Sequence, residues 1–130
     1  MTEVVAGVGA RPGRTVAELT GAIAAALAEA GLSRADVRVL ATIDRRAAED
    51  GFRALAAAHG WRLIGYPAAE LGAHDVPSKS VRIAAAVGTP SVAEAAAVAG
   101  GGRLVLPKRV FPGVTVAIAT LAPANPGLDS

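Results

Sequence analysis

The residues best suited to chemistry are cations and carboxylates set in or beside glycine-rich turns. Residues 87–102 read VGTPSVAEAAAVAGGG. Gly88 makes a tight turn after an apolar run, Thr89 stands at a helix N-cap position, and Pro90 follows where a missing N–H costs nothing. Ser91 and Glu94 have the spacing of a capping box, and the glycines from Gly100 onward end the helix. A strand, a glycine turn and a helix start in that order present unpaired N–H groups and the positive end of a helix dipole, a suitable seat for an anion. The same order also serves a corner that only turns the chain.

A second glycine-rich stretch, GVGARPGRT, covers residues 7–15. Gly7, Gly9 and Gly13 are spaced one residue too long for the dinucleotide fingerprint. Against the phosphate-binding loop, Val8 stands where the first glycine belongs and Arg14 where the lysine belongs. A helix-capping turn would account for the glycines. The preferred reading is a loop whose N–H groups, with Arg11 and Arg14, receive carboxylates. Asp44 ends the apolar run ATID and can cap the next helix. Lys79, in a polar loop, and Lys108, after a strand and Pro107, are either solvated charges or grips on a carboxylate. His59, in the last turn of a helix, favours the helix dipole. With His74 in a loop, the two isolated histidines do not make a metal site, and no metal or cofactor is expected.

The elements that must position these residues alternate. Val4 to Val8 reads as a strand. Thr15 and Glu18 form a capping box opening a helix whose apolar face holds Val16, Leu19, Ile23 and Leu27, closed by Gly31. Ser33 to Asp36 is a linker or single turn, and Val37 to Thr42 a second strand. A helix from Arg45 to His59 follows, with Gly60 as its cap. Arg62 to Tyr66 is a third strand, Ala68 to Leu71 a short helix, and Ser80 to Val87 a fourth strand before the Pro90 helix. Arg103 to Pro107 and Val114 to Thr120 read as a final antiparallel hairpin around Phe111 to Gly113, with VTVAIAT alternating. Trp61 and Leu63 belong to the core.

This order predicts a three-layer α/β/α domain with a mixed, mostly parallel sheet, helices on both faces and a C-terminal antiparallel hairpin. Residues 1–121 form the single domain expected, and residues 122–130 a flexible tail. Ligands of such folds bind beyond the carboxyl ends of the strands. Loops 9–14, 42–46 and 88–91 are therefore expected to meet at one sheet edge.

Composition narrows the classes. The chain has 130 residues, 52% hydrophobic and 18% charged, enough apolar content for a core without disulfides. With no cysteine there is no disulfide framework, thiolate nucleophile or cysteine zinc site. The net charge is only +2, and no basic cluster is interleaved with aromatics, so no nucleic-acid partner is expected. No run approaches the roughly 20 apolar residues of a membrane span. The start, MTEVVAGVG, has an early Glu3 and no basic region, unlike a signal peptide, so a cytoplasmic location is expected.

GTPSVAEAAAVA resembles the signature of the CobE family, which is also the C-terminal domain of the cobalamin-biosynthesis protein CbiG. ATID, GVGARPG and VPSKSV at residues 76–81 fit that family in the same order, so the resemblance runs from about Val4 to Leu121. It implies a cobalamin-biosynthesis protein that binds a corrin or precorrin intermediate, with other enzymes of that pathway as further partners. CbiG opens a lactone on a cobalt-precorrin and releases acetaldehyde, so the resemblance extends to a lactone hydrolase. Without the preceding domains of CbiG, this chain is more similar to the free-standing CobE type. Asp44 matches the family's D-x-K pattern, with Arg46 where lysine is usual. Ala10 stands where the family often has cysteine, which removes thiol chemistry.

Corrin intermediates bear several acetate and propionate groups, and the substrate-binding residues expected are Gly9, Arg11, Gly13, Arg14, Asp44, Arg46, Lys79, Gly88, Thr89, Ser91, Glu94 and Lys108. N–H groups at Gly88 to Ser91 are candidates for an oxyanion site. No nucleophile–base pair is visible in the sequence. The alternative reading is a small nucleotide- or phosphate-binding α/β domain.

Overall fold

In the computed structural model, residues 3–72 and 92–121 are described. The expected strand at Ser80 to Val87, His74, Lys79, the Gly88 to Ser91 turn and the tail lie outside the described residues.

Among the described residues, five strands form one sheet in the order β3-β2-β1-β5-β4. They are β1 (Val4–Ala10), β2 (Val37–Ile43), β3 (Arg62–Tyr66), β4 (Leu104–Phe111) and β5 (Val114–Thr120). β1, β2 and β3 are parallel neighbours. β5 runs antiparallel to β1 and to β4, so among the described strands it alone opposes the common direction. The mixed, mostly parallel sheet with its closing hairpin is thus as the sequence implied.

One face is covered by α1 (Val16–Glu29) and α3 (Asp50–His59). Leu19, Ile23, Leu27, Phe52 and Leu55 meet Val4, Ala6, Val8, Leu40, Val116 and Ile118 there. Full burial of each large side chain stabilises the fold by about 1.5–3 kcal/mol. α1 has its expected capping box, and it ends in a Schellman motif, with Leu32 N–H donating to Leu27 C=O at 2.8 Å and Gly31 N–H to Ala28 C=O at 3.1 Å. A single 3₁₀ turn, Arg34–Asp36, leads into β2. His59 stacks on the buried Trp61, ring centroids 4.6 Å apart.

The other face carries α4 (Ala68–Gly72) and α5 (Val92–Val98). Its side chains are smaller, and Ala93 and Ala97 of α5 pack on Ala117 and Ala119 of β5. VTVAIAT therefore does not alternate apolar with polar. It alternates large residues toward α1 with small ones toward α5, and both faces of β5 are largely buried. Gly7 carries this economy of size furthest: a Cβ there would stand 2.1 Å from Ala93 O and 2.6 Å from Ala97 N. The alanine-rich composition lets a helix backbone lie almost directly on the sheet.

Two expectations need correction. The helix expected over Arg45 to His59 is two helices, α2 (Asp44–Ala47) and α3, interrupted at Ala48 and Glu49. α2 is pressed against β3, where a Cβ on Gly65 would lie 2.9 Å from Asp44 Cα and 2.8 Å from Ala47 Cβ. The break separates that contact from the packing of α3 under α1. Second, the strand expected to stop at Pro107 continues to Phe111. Edge strands admit proline because one row of N–H groups has no ladder partner.

Candidate functional site

β1 reaches Ala10, two residues beyond the expected end, because Gly9 and Ala10 pair with Thr115 and Val114 of β5. The first half of GVGARPG is therefore strand. Beyond it, Arg11 N–H donates to Gly113 C=O at 3.1 Å. Gly13 N–H donates to Glu49 Oε1 at 3.2 Å, and Thr15 N–H to Glu18 Oε1 at 2.8 Å. These three donors, expected to receive ligand carboxylates, are engaged by the protein's own oxygens. The reason is chain geometry, since the hairpin turn and two acidic side chains reach the loop first.

The arginine side chains remain. Arg11 is exposed and makes no ion pair among the described residues. Arg14 pairs with Glu18 at 3.3 Å and lies against Gly113, where a Cβ would be 3.2 Å from Nη1. Its Nε is buried with no hydrogen-bond partner among the described residues. The Thr15 N–H bond holds the Glu18 carboxyl below its ordinary 4.5, with Arg14 acting in the same direction and desolvation opposing.

Asp44 follows β2 directly. It is the first residue of α2, exposed, with Ile43 at the cap position and no side-chain cap bond, so it does not cap as expected. Arg46 is ion-paired with Glu49. Glu49 thus spans two loops, with one carboxylate oxygen on Gly13 N–H and the other on Arg46. Below them, the buried Thr42 hydroxyl donates to Val8 C=O at 2.6 Å, tying the ends of β2 and β1. Loops 9–14 and 42–46 therefore meet as expected. Gly88, Thr89, Ser91 and Lys79 lie outside the described residues. Val92, the first residue of α5, stands over the end of β1, its Cβ 3.3 Å from a Cβ built on Gly9.

Glu94, in the first turn of α5, is 1% exposed, and its Oε2 accepts Lys108 N–H at 3.0 Å. Its expected capping partner, Ser91, is outside the described residues. Lys108 is exposed, lies within β4 instead of after it, and makes no ion pair among the described residues.

A hollow of about 320 Å³ opens at this end of the sheet between Gly9, Ala10, Arg11, Phe111, Gly113 and Thr115. It is at the small end of drug-sized pockets, about 300–1,000 Å³. It can seat the edge of a large ligand but not enclose one. A second, more apolar hollow of about 210 Å³ lies toward the other end, between α5 and Val5, Val39, Ile64 and Tyr66. There burial, then Glu70, push the Tyr66 hydroxyl above its ordinary 10.0, with Arg62 opposing. Among the described residues no helix is long and apolar enough to cross a membrane.

The sequence reading missed Glu49 and Thr42. Glu49 had one signal, since Glu49, Asp50 and Gly51 form a weak helix interior and a good helix start. Thr42 had none, because a β-branched residue in a strand is ordinary.

Comparison with known proteins agrees with this architecture. The family model for the cobalamin synthesis G C-terminus matches residues 4–119. Cobalt-precorrin-5A hydrolase of Priestia megaterium is 30% identical over 117 residues, which are 88% of this chain but 31% of that protein. The chain thus spans about a third of the length of that curated relative. Among solved structures, CobE, a protein of the cobalamin biosynthetic pathway, superposes with a TM-score of 0.76 at 32% identity, covering 93% of this chain and 92% of that one. The cobalamin biosynthesis protein chiG of Agrobacterium tumefaciens gives 0.69 at 33% identity, covering 92% and 99%. A putative cobalamin biosynthesis protein G homolog from Sulfolobus solfataricus, 18% identical, shares the fold with a TM-score of 0.72 over 94% of this chain and 38% of that one.

Proposed function

The chain belongs to the cobalamin synthesis G C-terminus family, and from that premise we propose that it binds a corrin or precorrin intermediate by its peripheral carboxylates, in the cytoplasm, beside other enzymes of the pathway. The observation that carries the reading is convergence. The end of β1, the start of α2 and the first turn of α5 come together at one end of the sheet, with Arg11, Arg14, Arg46 and Lys108 on or beside them. Arg11 lines the shallow hollow and Lys108 is exposed on β4, while Arg14 and Arg46 are paired with Glu18 and Glu49, and cations spaced in this way suit a broad ligand bearing several carboxylates on its rim.

The nucleotide alternative is disfavoured by the loop itself. A phosphate cradle needs open N–H groups, and those of Arg11, Gly13 and Thr15 are taken. Two of them face carboxylates, which would repel a phosphate. The Ser33 hydroxyl donates to Asp36 Oδ2 at 3.4 Å, but that pair sits in the 3₁₀ turn before β2, at the other end of the strand from Asp44, so the reading is one of binding, with lactone opening left to a fuller set of residues.

The test is a titration of the purified protein with cobyrinic acid, a corrin bearing free carboxylates, followed by the visible spectrum. Saturable spectral change that weakens with salt is expected, and Arg11→Ala should lower the affinity severalfold. ATP and NAD should leave the melting temperature unchanged. Stabilisation by nucleotide without any corrin response would overturn the proposal.

A further inference from the structure

We infer that Glu94 is a positioning residue, which sets the Lys108 backbone so that the lysine ammonium can meet a ligand carboxylate. The inference rests on the corrin-binding reading above. It starts from a register slip. Leu106 pairs with Ile118 and Arg109 with Val116, so β4 advances three residues where β5 advances two. The extra residue makes a β-bulge at Pro107 and Lys108, opposite Ala117. A bulge leaves one residue outside the ladder and re-aims a side chain. Pro107 has no N–H to place. Lys108 has one, and Glu94 Oε2 accepts it at 3.0 Å.

Glu94 is itself buried, on a closely seated helix. α5 lies on β1 with no clearance at Gly7, where even a Cβ would overlap Ala93 O at 2.1 Å. A rigid path therefore runs from β1 through α5 and the Glu94 carboxylate to the backbone of Lys108. Lys108 itself is exposed to solvent. With Thr42, Glu94 is one of two buried polar or charged side chains among the described residues. Burying a carboxylate carries a desolvation penalty that an apolar residue in this alanine-lined layer would avoid. A fixed acceptor for a displaced N–H gives that carboxylate a use, and a fixed lysine backbone narrows the volume its ammonium can sample.

A double-mutant cycle on the full chain tests this, with cobyrinic acid as the probe and amide exchange at Lys108 as an independent reading. Lys108→Met should weaken binding about five- to tenfold, and Glu94→Ala by a similar factor. Glu94→Gln, which keeps an acceptor oxygen, should stay within about twofold of the parent. The double variant should bind no more weakly than Lys108→Met alone, and Lys108 N–H exchange should accelerate in Glu94→Ala. If Glu94→Ala fails to fold, Glu94→Asp, one methylene too short, takes its place.

Three results overturn the inference while leaving corrin binding intact. They are parental affinity in Lys108→Met, an undiminished Glu94→Ala effect in the Lys108→Met background, and unchanged exchange at Lys108. Absence of any corrin response in the parent protein refutes the function proposed above, and this inference with it.

Discussion

Replacing Gly7 by alanine is the sharpest test of how α5 is seated. Gly7 lies within β1, paired with Ala41 and Ala117, and it is not among the glycines with positive φ. Alanine suits such a backbone, so only space opposes the change. The new Cβ would be 2.1 Å from Ala93 O, about 0.9 Å short of the 3.0 Å that real Cβ contacts keep, and 2.6 Å from Ala97 N. Both obstacles are helix backbone, so α5 must lift as a unit. Overpacking costs about 1–3 kcal/mol, here at the upper end, against about 0.4–1 kcal/mol from a stiffer unfolded chain. A net loss of about 2–3 kcal/mol is expected. At about 2.1 cal/mol/K per residue over 130 residues, that lowers the melting temperature by roughly 7–11 °C.

Gly21 is the internal control. It lies inside α1 with nothing within 4 Å of an added Cβ, so the same substitution should stabilise by about 0.5–1 kcal/mol. Urea unfolding followed by circular dichroism and by the fluorescence of the single tryptophan, Trp61, reads both variants. Shifts of the same sign at Gly7 and Gly21, or a Gly7→Ala loss below about 1 kcal/mol, would refute the close seating of α5.

Three further outcomes follow from individual contacts. Thr42→Val removes the buried hydroxyl that donates to Val8 C=O at 2.6 Å, and should cost about 1–2 kcal/mol in urea unfolding, with Thr42→Ser recovering part. Glu3→Gln breaks a surface pair with Arg38 at 3.1 Å whose side chains are 48% and 43% exposed, and should change stability by less than about 1 kcal/mol. The folded pKa of Glu18 is depressed, so its stabilising contribution is present above the unfolded value and is lost as pH falls through the folded one. The stability difference between the parent and Glu18→Gln should therefore shrink on acidification, while carboxyl-detected NMR titration places Glu18 below 4.5.

What was legible in the sequence is what local rules control. The α1 capping box, the apolar face through Leu19, Ile23 and Leu27, and the alternation of strands and helices all follow from spacing within one element. The break at Glu49 was not legible, because it depends on Gly65 of β3 receiving α2 while α3 packs under α1. Nor was the extension of β4 through Pro107, which relies on a bulge in the ladder with β5 and on a carboxylate from another element. The candidate site divides the same way. Its residues were found by type, but which of them face a ligand and which face one another is decided by long-range contacts.

That division bears on the choice of ligand. A glycine-rich loop with free N–H groups favours small, dense anions, because many short donors converge on one point. Here Gly113, Glu49 and Glu18 satisfy that loop from within, and two of the three add negative charge beside it. Exposed positive charge stands instead on side chains of separate segments, Arg11 after β1 and Lys108 on β4, while Arg46 on α2 is paired with Glu49. Under the proposed function, points of attachment spread over separate segments would favour a ligand whose carboxylates are equally spread over a phosphate, which could engage only one at a time. The rim of a corrin has that distribution, which is why the proposed function favours it, and the glycines and alanines under α5 seat that helix closely on β1 beside the proposed site.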